Sequence, residues 1–441
     1  MRKTNTLKSY KSKSLIGIIN IPGDKSISQR AVIFASLCFG LTKIFGLLKS
    51  KDVLSTVNAL KNLGVKVKFK SDICEISGTG GTFKKPKKPL DLGNSGTGVR
   101  LLIGMLSSKN IETTFEGDKS LSKRPMLRVI KPLEKFGAKF ESNKGKLPLK
   151  ILKSDYLTPC IVDEKIGSAQ VKSALILSAL NLNGTTIINE VVPSRDHTEN
   201  LLKYLGADIK IRKKKLEKKI IVNGPQTLSR KKIKICGDFS SASFLIVAAM
   251  VCKNSKIVLK NVGINYFRIG LLEVLKKMNG KFKILKKWTE NGEKVADLEI
   301  KSSNLKGIKV SGDISTRLID EYPILFVAAS FAKGTTEFIN LKELRYKESD
   351  RLSAMSEALE KSGVKLKQEK DSIKIFGSKK QNGGVKIKTY NDHRVAMSML
   401  VFGLASDEPI KVDDISMIKT SFPNFAELLK KIGAKVKYVQ K

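Results

Sequence analysis

Five charges fall in seven residues, Arg345-Tyr346-Lys347-Glu348-Ser349-Asp350-Arg351, and two further charged segments are Asp320-Glu321-Tyr322-Pro323 and Asp392-His393-Arg394. Each holds side chain types that can move protons or hold anions. Asp320 and Glu321 sit just ahead of an apolar run, where partial burial raises a carboxyl pKa toward the range of a general base. Each segment also has an ordinary reading. Residues 345–351 read as a salt-bridged helix face through the Glu348–Arg351 spacing. Asp320 and Glu321 read as carboxylates at a helix N-terminus with Pro323 in the first turn. Asp392-His393-Arg394, ahead of a helix expected over Val395 to Ala405, carries the same two readings.

Anion-binding patterns recur earlier in the chain. Gly-Asp-x-Ser occurs at Gly23, Gly117, Gly237 and Gly312, and each copy by itself is a turn with an Asp or Ser helix cap. Only Gly23-Asp24-Lys25-Ser26-Ile27-Ser28-Gln29-Arg30 adds a lysine, hydroxyls and an arginine at the start of an expected helix, Ala31 to Leu41, the combination that binds phosphate or carboxylate. Gly117 is intermediate, being followed by Lys119, Lys123, Arg124 and Arg128. Leu92-Gly93-Asn94-Ser95-Gly96-Thr97-Gly98-Val99-Arg100 is a small-residue turn entering a helix expected over Leu101 to Leu106, and its backbone can approach an anion closely. It is neither of the glycine-rich nucleotide fingerprints. Ile166-Gly167-Ser168-Ala169-Gln170-Val171-Lys172-Ser173 opens another apolar helix with polar groups in its first turn.

The elements that must carry these residues repeat. A helix end of the form Leu-x-x-x-Gly followed by a short Val/Lys alternation appears from Leu60, Leu133, Leu202, Leu275, Leu359 and Leu429, with Asn279 replacing glycine in the fourth copy. Glycine or asparagine there fits a left-handed helix C-cap, and the alternation fits a strand with one wet face. The cap positions 64, 137, 206, 279, 363 and 433 fall about 70 residues apart. A unit of that size holds two helices and several strands. The expected fold class is therefore α/β, with two pseudo-symmetric domains of three units each and a division near Asp238.

Composition narrows the function classes. The chain has 441 residues, more than a single core usually serves. The longest clean apolar run, Ala242 to Cys252, is about half of the roughly 20 residues a membrane span needs, so no span is expected. Met1 to Ser14 are basic and polar with no apolar segment of a secretory signal after them, and a cytoplasmic protein is expected. The five cysteines are scattered and only two histidines occur, which argues for reduced structural thiols and against zinc. The formal charge of +42 attracts anions. Nucleic acid is one candidate, but the lysines are spread along the chain and aromatic residues are few. Clusters such as Lys84-Lys85-Pro86-Lys87-Lys88 and Lys213 to Lys219 read as solvated loops and hairpin ends.

Taken in order, GDKSISQR, LGNSGTGVR, GDKSLSKRPM, GSAQVKSALILSAL, SRDHTENLL, GDFSSASF, DEYP, ELRYKESDR, NDHRVAM and SFPNF resemble the family of 5-enolpyruvylshikimate-3-phosphate synthases over essentially the whole chain. The resemblance implies an inside-out barrel of two three-repeat domains, 23–238 and 1–22 plus 239–441, with the first residues crossing to the second domain. It implies transfer of the enolpyruvyl group of phosphoenolpyruvate to 3-phosphoshikimate without metal or cofactor, in a cleft that closes on its ligands. Only small-molecule partners are implied, and a monomer.

Carried over by motif, Lys25, Ser26, Arg30, Ser168, Ala169, Gln170, Ser194, Asp320 and Lys347 belong to the 3-phosphoshikimate side. Lys25, Asn94, Gly96, Arg124, Gln170, Arg351 and Arg394 belong to the phosphoenolpyruvate side. Asp320, Glu348 and Lys25 are the expected catalytic residues. Three positions depart from the family pattern: Gln29 replaces a common histidine, Ala169 a second serine, and Thr420 a lysine found in some members. The nearest rival is the related transferase acting on UDP-N-acetylglucosamine. That family carries a reactive cysteine ahead of an Arg-Pro pair, and this chain has none between Cys74 and Cys160.

Overall fold

Apolar periodicity and glycine caps build the same unit over and over. The computed structural model describes residues 6–214 and 217–439. It divides into two compact units, Gly23–Ile235 with Thr289–Glu293, and Met1–Pro22 with Cys236–Trp288 and Lys294–Lys441. Among the described residues there are six four-stranded sheets, three in each unit. The second repeat shows the pattern. A short strand, Leu90–Asp91, pairs in parallel with Thr113–Glu116, which pairs antiparallel with Lys146–Leu152, and Lys139–Asn143 closes the edge. One helix lies between the first two strands and others precede the hairpin, so the chain is α/β throughout.

The expected caps are all left-handed: φ is +91° at Gly64 and Gly137, +92° at Gly206, +70° at Asn279, +88° at Gly363 and +93° at Gly433. In five of the six the next residue reaches back to the last helical turn, as Val65 N does to Leu60 O and Ala434 N to Leu429 O, a Schellman closure that leaves the chain aimed into the hairpin.

The strand after each cap, for example Lys66–Lys70 or Lys435–Val439, is outermost in its sheet and rich in lysine. An unpaired edge studded with ammonium groups resists pairing with another chain, which gives part of the lysine excess a structural use.

The chain's start completes sheets made of much later segments. Thr6–Tyr10 pairs with Ile410–Val412 and Lys435–Val439, and Ile16–Asn20 runs parallel to Lys256–Gly263. Ile233–Lys234 in turn supplies the parallel strand beside Phe39–Phe45.

Inside each unit the sheets surround three helices buried on nearly every side: Lys25–Leu37, Gly96–Ser107 and Ala169–Ala179 in one, Phe239–Val251, Tyr322–Ser330 and His393–Phe402 in the other. Such helices have apolar residues all round rather than one stripe. No described helix is long and apolar enough to cross a membrane.

Several local expectations are corrected. The first helix begins at Lys25 and ends at Leu37, because Asp24 caps it by accepting from Ile27 N (2.8 Å) and Phe39–Phe45 pairs instead with Ile73–Thr79. The helix expected from Leu101 begins at Gly96, capped by Ser95, and the one expected from Val395 begins at His393, capped by Asp392. Asp313 caps nothing; Ser311 holds a short turn over Gly312–Ile314. Residues 345–351 are not one helix face: a 3-10 helix ends at Tyr346, Lys347 is extended, and the α-helix starts at Arg351. Of Lys213 to Lys219, residues 215 and 216 lie outside those described, and Lys218 is buried among carboxylates rather than solvated.

Two helices of the first unit pack backbone to backbone at Gly104, where an added Cβ would stand 2.4 Å from Ala174 Cα and from its carbonyl oxygen. Backbone cannot yield there, so Gly104→Ala is expected to cost about 1–3 kcal/mol or more in urea unfolding. Replacing Lys66 and Lys68 together by Val is expected to leave the fold intact but produce self-association in light scattering, because it removes the charge from an open edge.

Candidate active site

In the first unit the polar first turns of the three central helices meet. Gln29 Nε2 donates to Ser95 Oγ (2.8 Å), and Gln170 Nε2 donates to Thr97 Oγ1 (2.9 Å) while its Oε1 accepts from Arg100 Nη1 (2.6 Å). Helix N-termini gathered in this way direct unpaired N–H groups and positive dipole ends to one place, which favours an anion.

Each expected residue of this unit lies in or beside that gathering. Lys25 Nζ is 3.0 Å from Asp52 Oδ2. Ser26 offers its carbonyl oxygen to Arg30 Nη1 (3.0 Å). Arg30 is buried, with Nε and Nη2 each 2.8 Å from the hydroxyls of Thr198 and Ser173. Burial lowers its pKa to about 10, Glu199 and Asp24 oppose the shift, and Arg195 adds to it. Asn94 bridges two loops, donating to both Asp118 oxygens and accepting from Arg124 Nη2 at 2.8 Å. Gly96 lies under Arg124 and Arg100, since a Cβ there would be 2.8 Å from Arg124 Nη1 and 3.2 Å from Arg100 Nη1. Ser168 caps the third helix through Val171 N, and Ala169 is its first residue. Ser194 is turned inward, its N and Oγ both donating to Glu190 Oε1 at 2.9 and 2.5 Å.

The second unit holds a separate, tighter constellation. Arg351 is 1% exposed and touches three carboxylates: Nε meets Asp392 Oδ2 at 2.8 Å, Nη2 meets Glu348, and Nη1 is 3.5 Å from Asp320 Oδ1. Burial disfavours its charge, but Asp392, Glu348 and Asp320 outweigh that and raise its pKa. Lys347 Nζ is 3.9 Å from the same Asp320 oxygen, and Arg394 Nη1 donates to the Asp320 carbonyl (2.8 Å) and approaches Glu321 Oε1 at 3.8 Å. Asp320, Lys347, Glu348, Arg351 and Arg394 thus form one cluster in which two part-exposed carboxylates face three cations. Thr420, by contrast, turns its hydroxyl back to Met417 O (2.6 Å).

Comparison with known proteins agrees with the motif order. The family described as EPSP synthase (3-phosphoshikimate 1-carboxyvinyltransferase) matches residues 9–429. The chain belongs to the EPSP synthase family.

A relative from Bartonella quintana named 3-phosphoshikimate 1-carboxyvinyltransferase is 45% identical, over 99% of this chain and 100% of its own length. An EPSP synthase structure from Acinetobacter baumannii superposes with a TM-score of 0.88 at 37% identity, covering 99% of this chain and 100% of that one. The enolpyruvyl transferase NikO from Streptomyces tendae shares the fold, with a TM-score of 0.78 at 15% identity and full coverage of both chains.

Within this member of the EPSP synthase family, Arg100, Asp52 and Asp392 orient the expected residues, and of these the sequence reading gave a role only to Asp392. Arg100 fastens Gln170 to the Gly96 loop, and Asp392 holds both Arg351 and the cap of its own helix. Asp392 was detectable as a cap ahead of an apolar helix. Asp52 carried no signal, because it lies in a different helix from its partner Lys25.

Beneath Arg30, Glu199 is wholly buried. Burial is the largest influence and opposes its charge, but Lys172 and Lys218 together prevail and hold its pKa down from 4.5 to about 2. A carboxyl depressed on folding contributes stability above its unfolded value and loses it as pH falls through the folded one. Unfolding free energy is therefore expected to drop between pH 4.5 and 2, with a shallower slope in Glu199→Gln when both are followed by urea titration.

Proposed function

We propose that this chain transfers the enolpyruvyl group of phosphoenolpyruvate to the 5-hydroxyl of 3-phosphoshikimate, releasing phosphate. The observation that carries the reading is the cluster of Asp320, Lys347, Glu348, Arg351 and Arg394, which sets proton-transfer groups beside carboxylate-binding cations in a chain of this family. Arg351 Nη1 supports it further, being buried and making no hydrogen bond among the described residues, so a ligand carboxylate has a donor waiting.

In this scheme Ser26 and Arg30 hold the shikimate carboxylate, and Ser168, the Ala169 backbone, Gln170 and Ser194 its phosphate and ring. Lys25, Asn94, Gly96 and Arg124 receive the phosphate of phosphoenolpyruvate, while Arg351 and Arg394 take its carboxylate. Asp320 accepts the proton of the 5-hydroxyl as its oxygen bonds to C2, and Glu348 delivers a proton to C3. Lys347 steadies the shikimate moiety beside Asp320. The C–O bond to phosphate then breaks, Glu348 recovers a proton from C3, and the double bond re-forms. Cations fixed in place before the reaction stabilise the charge on the departing phosphate, Lys25 and Arg124 above all.

The protein acts as a cytoplasmic monomer on small molecules and needs no nucleic acid or membrane.

Phosphate release tests this directly. Purified protein with phosphoenolpyruvate is expected to release phosphate when given 3-phosphoshikimate and not when given UDP-N-acetylglucosamine, and Asp320→Ala is expected to lose about 100-fold or more in kcat. Release with the nucleotide sugar alone would move the chain to the related transferase, and release that survives Asp320→Ala would remove Asp320 from proton transfer.

A further inference from the structure

Four buried charges in the first unit are not accounted for by this reaction scheme. Lys172 lies in the central helix Ala169–Ala179, Glu190 ends the strand Gly184–Glu190, Lys218 stands opposite it on Glu217–Gly224, and Glu199 lies in the helix His197–Tyr204. None is more than 3% exposed. Lys172 Nζ is 2.8 Å from Glu190 Oε1 and 3.0 Å from Glu199 Oε1, and Lys218 Nζ is 2.6 Å from Glu199 Oε1 and 3.6 Å from Glu190 Oε2. The group is neutral as a whole. A buried ion cluster is nonetheless a poor source of stability, since apolar side chains of similar volume do as well or better.

The cluster reaches the ligand-binding side by two routes. Glu190 Oε1, already paired with Lys172, accepts both the amide and the hydroxyl of Ser194, and Lys172 also donates to the Ser194 carbonyl (3.3 Å). Ser194 is therefore clamped at N, O and Oγ by one ion pair. On the other side, Ser173 and Thr198, the chain neighbours of Lys172 and Glu199, bond each other at 2.6 Å and both contact Arg30.

We propose that Lys172, Glu190, Glu199 and Lys218 form a positioning network that fixes Ser194 and Arg30 for the phosphorylated acceptor. The network touches no reacting atom; it sets acceptor affinity through the two residues it holds. The proposal rests on the enolpyruvyl-transfer reading and deepens it.

The test is steady-state kinetics of the full chain with each substrate varied in turn. In Lys172→Met/Glu190→Leu an apolar pair replaces the ion pair, so folding is retained, but Ser194 loses its acceptor. The expected result is a KM for 3-phosphoshikimate raised about tenfold, with kcat and the KM for phosphoenolpyruvate within about threefold of wild type. Glu190→Asp, which keeps the charge and withdraws the carboxylate, is expected to shift the same constant in the same direction and carries the test if the double variant does not fold. Folded variants whose KM for 3-phosphoshikimate stays within about threefold of wild type, or whose two KM values rise together, would overturn the proposal. Wild-type protein that turns over no 3-phosphoshikimate would instead sink the functional reading, and the network's role with it.

Discussion

Everything in this molecule depends on burying helices that have no polar face. Phe239–Val251 and its five counterparts cannot lie on a surface, so each unit encloses three of them and puts its sheets outside. Once enclosed side by side, the helices expose polar chemistry only at their ends. Ser95, Asp238 and Asp392 therefore satisfy N–H groups of their own helices, and Gln170 ties its helix to the neighbouring one through Thr97. The gathering of polar groups at helix N-termini follows directly from how the core is closed.

The two units use that geometry differently. In the first, hydroxyls and amides dominate, and Arg30 is held by neutral Ser173 and Thr198. In the second, Arg351 is ringed by carboxylates that keep it charged in a dry place. Asp392 has no exposed surface and accepts from Arg351, Ser349 and its own helix, fixing the arginine's orientation. Where Asp320, Glu348 and Asp392 stand is decided by these cations as much as by the backbone.

The lysine excess divides in the same physical terms. Many lysines sit on edge strands, where solvent-facing charge keeps an unpaired backbone from finding another chain. Lys172 and Lys218 do the opposite, lying in the interior where only paired carboxylates make a charge tolerable.

Local chemistry is what the sequence alone determined. The left-handed caps at Gly64, Gly137, Gly206, Asn279, Gly363 and Gly433 were legible because a positive φ is a property of one residue, and they set the repeat, the hairpins and the α/β class. The motif order named the family for the same reason. Helix starts were misread by several residues, since Lys25 and Gly96 are helical only because Asp24 and Ser95 cap them. Tertiary structure alone decided the rest. Lys347, Glu348 and Arg351 read as a helix face until Asp320 and Asp392, far away in sequence, drew them into a cluster, and Lys218 read as solvated until Glu199 met it. Charge pairing depends on distance through space, and nothing in the spacing of residues along a chain records it.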